Sequence, residues 1–355
     1  MSAPNPRTQV QADIPLDAAE LRRLCEWMDL NGLASGTIED LRPLLGGTQN
    51  IMLSFRRGAL RCVLRRPPRS KRAHSDQTML REARILKGLA GTAVPHPRLI
   101  ACCEDPDVLG AVFYLMEPIE GFNATTGLPP SHRVDEQLRR RMGAGIIEAL
   151  VTLGEVDYCR QGLADLGKPI GFLERQALRW QSELEGYLRL PGYERSALPD
   201  IRPITEYLRD RRPASFTPGL MHGDYHLANV MFAPDSARVA AIVDWEMCTL
   251  GDPLLDFAWL LETWPQPGVP GLFKFVAAEA LCTLDALIGH YAERGSRSLE
   301  HLDWYRVLAC YKYGVLLEGT NARACAGKVP RTIGDSLHAV AVNLIERALR
   351  KIGHD

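Results

Sequence analysis

No stretch of the 355-residue chain approaches the roughly 18 consecutive apolar residues of a membrane-spanning helix, so the sequence offers no such segment. It also lacks a surplus of charge. Its 42 Lys and Arg stand against 43 Asp and Glu, and a formal net charge of -1 leaves no global footprint for nucleic acid or an anionic membrane. Any charged partner has to be met locally. The nine cysteines are scattered, with Cys102–Cys103 the only close pair, so zinc-site spacing and a redox CxxC are both missing. The opening MSAPNPRTQVQADIP has no apolar segment of the secretion-signal kind. Reduced thiols and the lack of a leader predict a cytoplasmic protein. No internal repeat or low-complexity tract occurs, and nothing in the sequence specifies an oligomeric state. The basic run Arg65, Arg66, Arg69, Lys71 and Arg72 is short and broken by Pro67 and Pro68, which suits a solvated loop better than a binding patch.

What is present divides in two. Residues 1–15 are polar and proline-bearing and are expected to be loosely ordered. Asp17 then stands at a helix-capping position before a segment in which Leu21, Leu24, Cys25 and Met28 share one face. From Ile38 to Val63, short apolar or alternating stretches are broken by Gly46–Gly47 and Arg57–Gly58. That pattern predicts strand, glycine turn, strand, hairpin, strand. Ser75 to Leu89 has helical spacing through Met79, Ala83, Leu86 and Leu89, and Leu99–Cys102 and Ala111–Met116 read as two further strands. Beyond Gly121 the periodicity is chiefly helical, clearest over Val134–Leu153, Ile170–Leu188 and Ile201–Arg211. Short strands and loops intervene between Met221 and Trp245, and helices resume from Leu254. Five strands with one helix after the third, followed by a helical half, is the order of a bilobed, protein-kinase-like α+β fold. The expected division is a nucleotide-binding lobe over residues 1–117 and a helical lobe over 118–355.

The chemistry concentrates between Leu220 and Trp259. Asp224 is followed five residues later by Asn229, and fifteen further on Asp244 ends the apolar run Val239–Val243. Phosphoryl transfer from ATP needs little more: a carboxylate to orient the acceptor hydroxyl and take its proton, and oxygen ligands for Mg²⁺. Asn229 and Asp244 offer hard oxygen ligands. Asp224, earlier on the same loop, is placed to be the base. His222 is expected to shape that loop by an internal hydrogen bond, and Gly223 by a backbone conformation costly to residues with a Cβ.

HGDxxxxN, DWE and GDPxxDxAW, in this order and spacing, resemble the aminoglycoside phosphotransferase family, relatives of choline kinase. The likeness runs from about Leu41 to Lys328. It implies ATP and Mg²⁺ as cofactors and a small-molecule hydroxyl as acceptor, with no nucleic-acid or membrane partner. Leu45–Asn50 occupies the place of the glycine-rich loop, so Gly46, Gly47, Thr48 and Asn50 are expected against the phosphates. Arg65 stands where the family more broadly has a Lys. Its fork can engage phosphate and carboxylate, and Glu82 on the next helix is its expected partner. Strand alternation sends Arg66 to the opposite face. The segment from Phe113 to Gly121 resembles the inter-lobe hinge, where the Glu117 carbonyl and the Ile119 amide would read adenine and Pro118 falls where no N–H is required. Asp252 and Asp256 are read as a capping residue and a brace for the catalytic loop rather than a second metal site.

Within the family, VLRRPP at Val63–Pro68, the Cys103–Gly121 and Thr249–Trp259 segments and Glu318–Arg323 are similar to a subset typified by the kinase domain fused to acyl-CoA dehydrogenases. That likeness implies a hydroxyacyl-CoA or hydroxy acid as acceptor, with Arg323 as a candidate contact. The mixed charge of Ile170–Arg212, which includes Arg175, Arg179, Arg189, Arg195 and Arg202, weighs against a polycationic aminoglycoside. Three alternatives stay on the page. An antibiotic phosphotransferase is one, and a catalytically silent nucleotide-binding module, which would be expected to lose at least one of Asp224, Asn229 and Asp244, is another. The third, a protein kinase, would need a long activation segment, yet Gly251–Asp252–Pro253 arrives within seven residues of Asp244.

Overall fold

A computed structural model describes residues 16–44, 50–69, 74–194, 198–266 and 281–353. The chain forms two compact units, one of residues 1–90 and 97–119, the other of 91–96 and 120–355. In the first, helix α1 (Ala18–Leu30) begins at a reciprocal cap. Asp17 accepts from the Ala19 and Glu20 amides, and Glu20 accepts from the Asp17 amide. Strands β1 (Ile38–Pro43), β2 (Ile51–Arg57) and β3 (Leu60–Arg66) form antiparallel hairpins, followed by α2 (Ser75–Leu89) and β4 (Leu99–Cys103). A one-turn helix α3 (Pro106–Leu109) then precedes β5 (Phe113–Met116). The sheet order is β1-β2-β3-β5-β4.

The last strand starts two residues later than the apolar pattern suggested. Asp105 caps α3, Pro106 fits its first turn, and Gly110 leaves it with φ +74°, so the chain re-enters the sheet only at Phe113. Leu24 and Met28 of α1 pack on Leu53, Phe55, Leu64, Phe113 and Leu115, a continuous apolar core on one face of the sheet.

In the second unit, a short helix α4 (Pro130–Val134) precedes α5 (Glu136–Gly154), which is the helix expected over Val134–Leu153. Asp135 caps α5, its carboxylate accepting from the Leu138 amide at 2.8 Å, and its own extended backbone ends α4. Strand β6 (Phe122–Asn123) lies earlier in the chain. Helices α6 (Phe172–Tyr187) and α7 (Arg202–Asp210) then lead into β7 (Gly219–Met221), β8 (Val230–Phe232), β9 (Val239–Ile242) and β10 (Thr249–Gly251). These strands make two small antiparallel sheets, β6-β8-β9 and β10-β7. The Ile242 amide donates to the Pro95 carbonyl, which ties residues 91–96 to this unit. Helices α8 (Leu254–Thr263), α9 (Leu284–Arg294), α10 (Leu302–Cys325) and α11 (Arg331–Ile352) complete it. No helix among the described residues is long and apolar enough to cross a membrane.

A buried acid holds three of these helices together. Glu262 of α8 meets Arg306 of α10 at 2.7 Å, Lys351 of α11 at 3.1 Å and Arg347 of α11. Burial raises its carboxyl pKa, but Arg347, Arg306 and Lys351 together hold it below the usual value. A lowered carboxyl stabilises the fold above the unfolded pKa of about 4.3 and loses that contribution as pH falls through the folded value. Glu262→Ala should therefore cost about 3–5 kcal/mol at pH 7, because it strands buried cations. The gap from wild type in urea unfolding should narrow below about pH 4. An undiminished gap in acid would show that the ion cluster is not its source.

Candidate active site

The catalytic loop leaves β7 as His222-Gly223-Asp224. Its peptide groups are gripped from two helices. Asp256 on α8 accepts from the His222 amide at 2.6 Å and the Gly223 amide at 2.9 Å, so the brace expected of this residue is in place. From α10, Lys312 Nζ donates to the Gly223 carbonyl at 2.8 Å, and the Tyr313 hydroxyl donates to the same oxygen. Gly223 has φ +85°, and a Cβ there would collide with the Met247 carbonyl, so this position requires glycine. His222 Nε2 donates to the Val243 carbonyl at 3.0 Å, the predicted internal bond. Its Nδ1 has no hydrogen-bond partner among the described residues, and burial lowers the ring's pKa.

Three contacts position the Asp224 carboxylate. Oδ1 accepts from the Trp259 indole at 3.0 Å, while Oδ2 faces the Asn229 amide nitrogen at 3.1 Å and His226 Nε2 at 3.3 Å. His226 Nδ1 accepts from the Ala228 amide, so Nε2 carries the proton it offers to Asp224. Burial pushes the Asp224 carboxyl up, but His226, with help from His222 and Lys312, holds it well below the usual carboxylate range. The group is an ionised acceptor at neutral pH. Trp259 is itself fixed by stacking on Tyr313, with ring centres 3.3 Å apart.

A β-hairpin brings Asn229 and Asp244 together across fifteen residues. Val230 pairs with Ile242 across β8 and β9, and the Val243 amide donates to the Asn229 carbonyl at 2.9 Å, which makes Asn229 and Asp244 neighbours at the end of the ladder. Asp244 adopts φ +68° and ψ +66°, a left-handed conformation that costs a non-glycine residue on the order of 1–3 kcal/mol and collects at functional positions. Trp245 anchors the turn by donating to the Ile242 carbonyl at 3.0 Å and packing edge-on to His222. The Asn229 nitrogen is committed to Asp224, so its oxygen is the atom left for a cation. An amide oxygen beside a carboxylate suits Mg²⁺.

Beneath the loop lies a buried pair of opposite charge. Burial raises the Asp256 carboxyl to about 6, against the opposing pull of Lys312 and the two backbone donors. Burial likewise lowers the Lys312 ammonium to about 8, opposed by Asp256 and Asp224. Asp252 caps the start of α8 through the Leu254 amide at 3.0 Å and takes the Tyr305 hydroxyl, which leaves it structural.

The first unit carries the residues expected to bind nucleotide. Arg65 Nε lies 3.1 Å from Glu82 Oε2 and its Nη2 is 3.4 Å from Oε1. Tyr114, opposite Arg65 in the β3–β5 register, donates to Glu82 at 2.8 Å. Arg66 turns the other way, to Glu20 at 3.5 Å, as alternation requires. The Glu117 side chain pairs with Arg98, and its amide donates to the Arg98 carbonyl at 2.9 Å. Ile119 ends this unit and Asn50 stands just before β2, whereas Gly46, Gly47, Thr48 and Arg195 lie outside the described residues. Arg323 is in the last turn of α10, donating to the Thr320 hydroxyl at 2.8 Å. Eleven residues of helix put it about 16 Å from Lys312 along the axis, away from the catalytic loop.

Trp259, His226, Lys312 and Tyr313 were not singled out by sequence reasoning. Trp259 closes the GDPxxDxAW motif and His226 sits inside HGDxxxxN, so both had a signal. Lys312 had only its isolation in an apolar helix.

The sequence profile of the phosphotransferase enzyme family matches residues 40–293. Among curated proteins, the chain is 28% identical over 292 residues to acyl-CoA dehydrogenase family member 10 of Mus musculus, covering 79% of this chain and 26% of that protein. It is 26% identical over 318 residues to acyl-CoA dehydrogenase family member 11 of Gallus gallus, covering 87% and 40%. The chain thus spans about a quarter to two-fifths of these relatives. Among solved structures, a Ralstonia eutropha protein provisionally named an aminoglycoside phosphotransferase superimposes with a TM-score of 0.73 at 26% identity, covering 93% of this chain and 98% of that one. With the profile matched over most of its length and the fold shared, the chain belongs to the phosphotransferase enzyme family.

Proposed function

We propose that this protein transfers the γ-phosphoryl group of ATP to a hydroxyl of a small molecule, and that the acceptor is a hydroxyacyl-CoA or a free hydroxy acid. The observation that carries the reading is one hairpin and one loop that place an ionised, hydrogen-bonded Asp224 next to Asn229, itself adjacent to Asp244. Asp224 is the group that orients the hydroxyl and accepts its proton as the new P–O bond forms. A carboxylate of low pKa is suited to this role. In a loose transition state little proton transfer is needed early, and fixed orientation matters more than basicity.

Asn229 and Asp244 are the residues to hold Mg²⁺, which, when bound, neutralises charge on the phosphates. Arg65, steadied by Glu82 and Tyr114, is a cation for phosphate oxygens. The acyl-CoA acceptor is supported by the likeness to proteins named acyl-CoA dehydrogenase family members. The likeness to the Ralstonia protein supports aminoglycosides as a second reading.

Asp224→Asn should lower kcat by about 10²–10⁴-fold while leaving nucleotide affinity within a few-fold, because the base acts on the acceptor. Separate measurement of ATP-analogue binding and turnover decides it: retention of more than a few per cent of wild-type kcat would remove Asp224 from the role. Asp244→Ala should abolish Mg²⁺-dependent nucleotide binding, read by calorimetry with and without the metal. Arg65→Ala should raise KM for ATP and lower kcat, with Arg65→Lys recovering part of both. An ADP-release comparison of 3- and 4-hydroxyacyl-CoAs, hydroxy acids and kanamycin settles the acceptor. Turnover of kanamycin alone would return the chain to antibiotic modification.

A further inference from the structure

One cation near the catalytic loop has no acid to answer it. Arg179 on α6 is exposed, its guanidinium carbon 4.9 Å from the centre of the Trp180 ring, and among the described residues no carboxylate pairs with it. The same indole has Lys312 Nζ 6.0 Å from its centre. Trp180 is a rigid platform. It is buried, its Nε1 donates to Gln176 Oε1 at 3.2 Å, and Gln176 in turn donates to the Phe172 carbonyl at 2.8 Å.

Two positive groups sharing one ring repel each other. Arg179 adds to burial in making the Lys312 ammonium easier to deprotonate, and Asp256 and Asp224 oppose this. Lys312 is bonded to the carbonyl that directly precedes Asp224, so this positive field lies beside the base. A guanidinium lying on an aromatic face keeps its edge N–H groups directed outward for a planar anion. Stacking also restricts the side chain in advance, so little further freedom is lost on binding.

We propose that Arg179, held on Trp180 and backed by Lys312, forms the subsite for an anionic group of the acceptor, either the carboxylate of a hydroxy acid or a phosphate of a coenzyme A thioester. The inference rests on the phosphotransfer reading and deepens it by naming a specificity residue. The anion relieves the repulsion between the two cations, whereas a polycationic acceptor meets both as like charges.

The test measures binding separately from turnover. Calorimetry on the full chain uses 3-hydroxybutyrate, 3-hydroxybutyryl-coenzyme A and neutral 3-hydroxybutyramide, with wild type, Arg179→Gln and Arg179→Lys. At least one anionic probe should bind wild type about tenfold tighter than the amide, the preference should vanish in Arg179→Gln, and Arg179→Lys should keep part of it. Which anion loses affinity identifies the source of the recognised group. Unfolding midpoints should stay unchanged, since the guanidinium is exposed and unpaired. The subsite is overturned if neither anion outbinds the amide, or if the preference survives Arg179→Gln. ADP release on the same samples distinguishes the two claims: anion binding that depends on Arg179 with no transfer would sink the acceptor assignment and leave the subsite standing.

Discussion

The backbone of His222 and Gly223 is the point on which the site depends. Its buried N–H groups need partners away from water, and the Asp256 carboxylate supplies both acceptors. A carboxylate this deep is costly without an opposite charge, and Lys312 provides one. Lys312 in turn spends a hydrogen bond on the Gly223 carbonyl, with Tyr313 beside it. The loop is thus held by Asp256 of α8 and by Lys312 and Tyr313 of α10, and removing Lys312 would leave the buried Asp256 carboxylate without the cation that opposes its burial. This explains how an irregular segment can hold a catalytic carboxylate in one position.

The same clamp continues into the reactive group. Tyr313 touches the backbone before Asp224 and also supports Trp259, whose indole N–H fixes one carboxylate oxygen. The other oxygen faces Asn229 and His226. Each contact favours the charged form, so the environment that would protonate a lone buried acid keeps this one ionised. Strain is concentrated nearby. Gly223 and Asp244 both take positive φ, and at the first Met247 also leaves no room for a side chain. At Asp244 a glycine would cost less in conformation, but it would bring no carboxylate.

Much of the fold was legible because its local signals agreed with one another. The α1 cap, the paired hairpins and the limits of α2 follow from residue type and periodicity alone. Alternation separated Arg65 from Arg66 and sent them to different acids. The helix read over Val134–Leu153 is α5, its start set two residues later by the Asp135 cap on the Leu138 amide, whereas the five-residue α4 before it is too short to show an apolar period. The late start of β5 has a similar origin: Ala111 and Val112 are apolar and buried, but burial is not strand pairing.

By itself the sequence determined which groups are available for chemistry: Asp224, Asn229 and Asp244 at fixed separations, with a glycine where the backbone must bend. It determined this because side-chain chemistry and short-range backbone preference are properties of residues and their near neighbours. Only the tertiary structure decided that Lys312, some ninety residues beyond Gly223, would reach that carbonyl, that Trp259 would bind the base, and that Arg179 and Lys312 would share one indole. Such contacts arise from the packing of α6, α8 and α10. Their charges and pKa shifts come from burial, and burial depends on the whole fold rather than on any one segment.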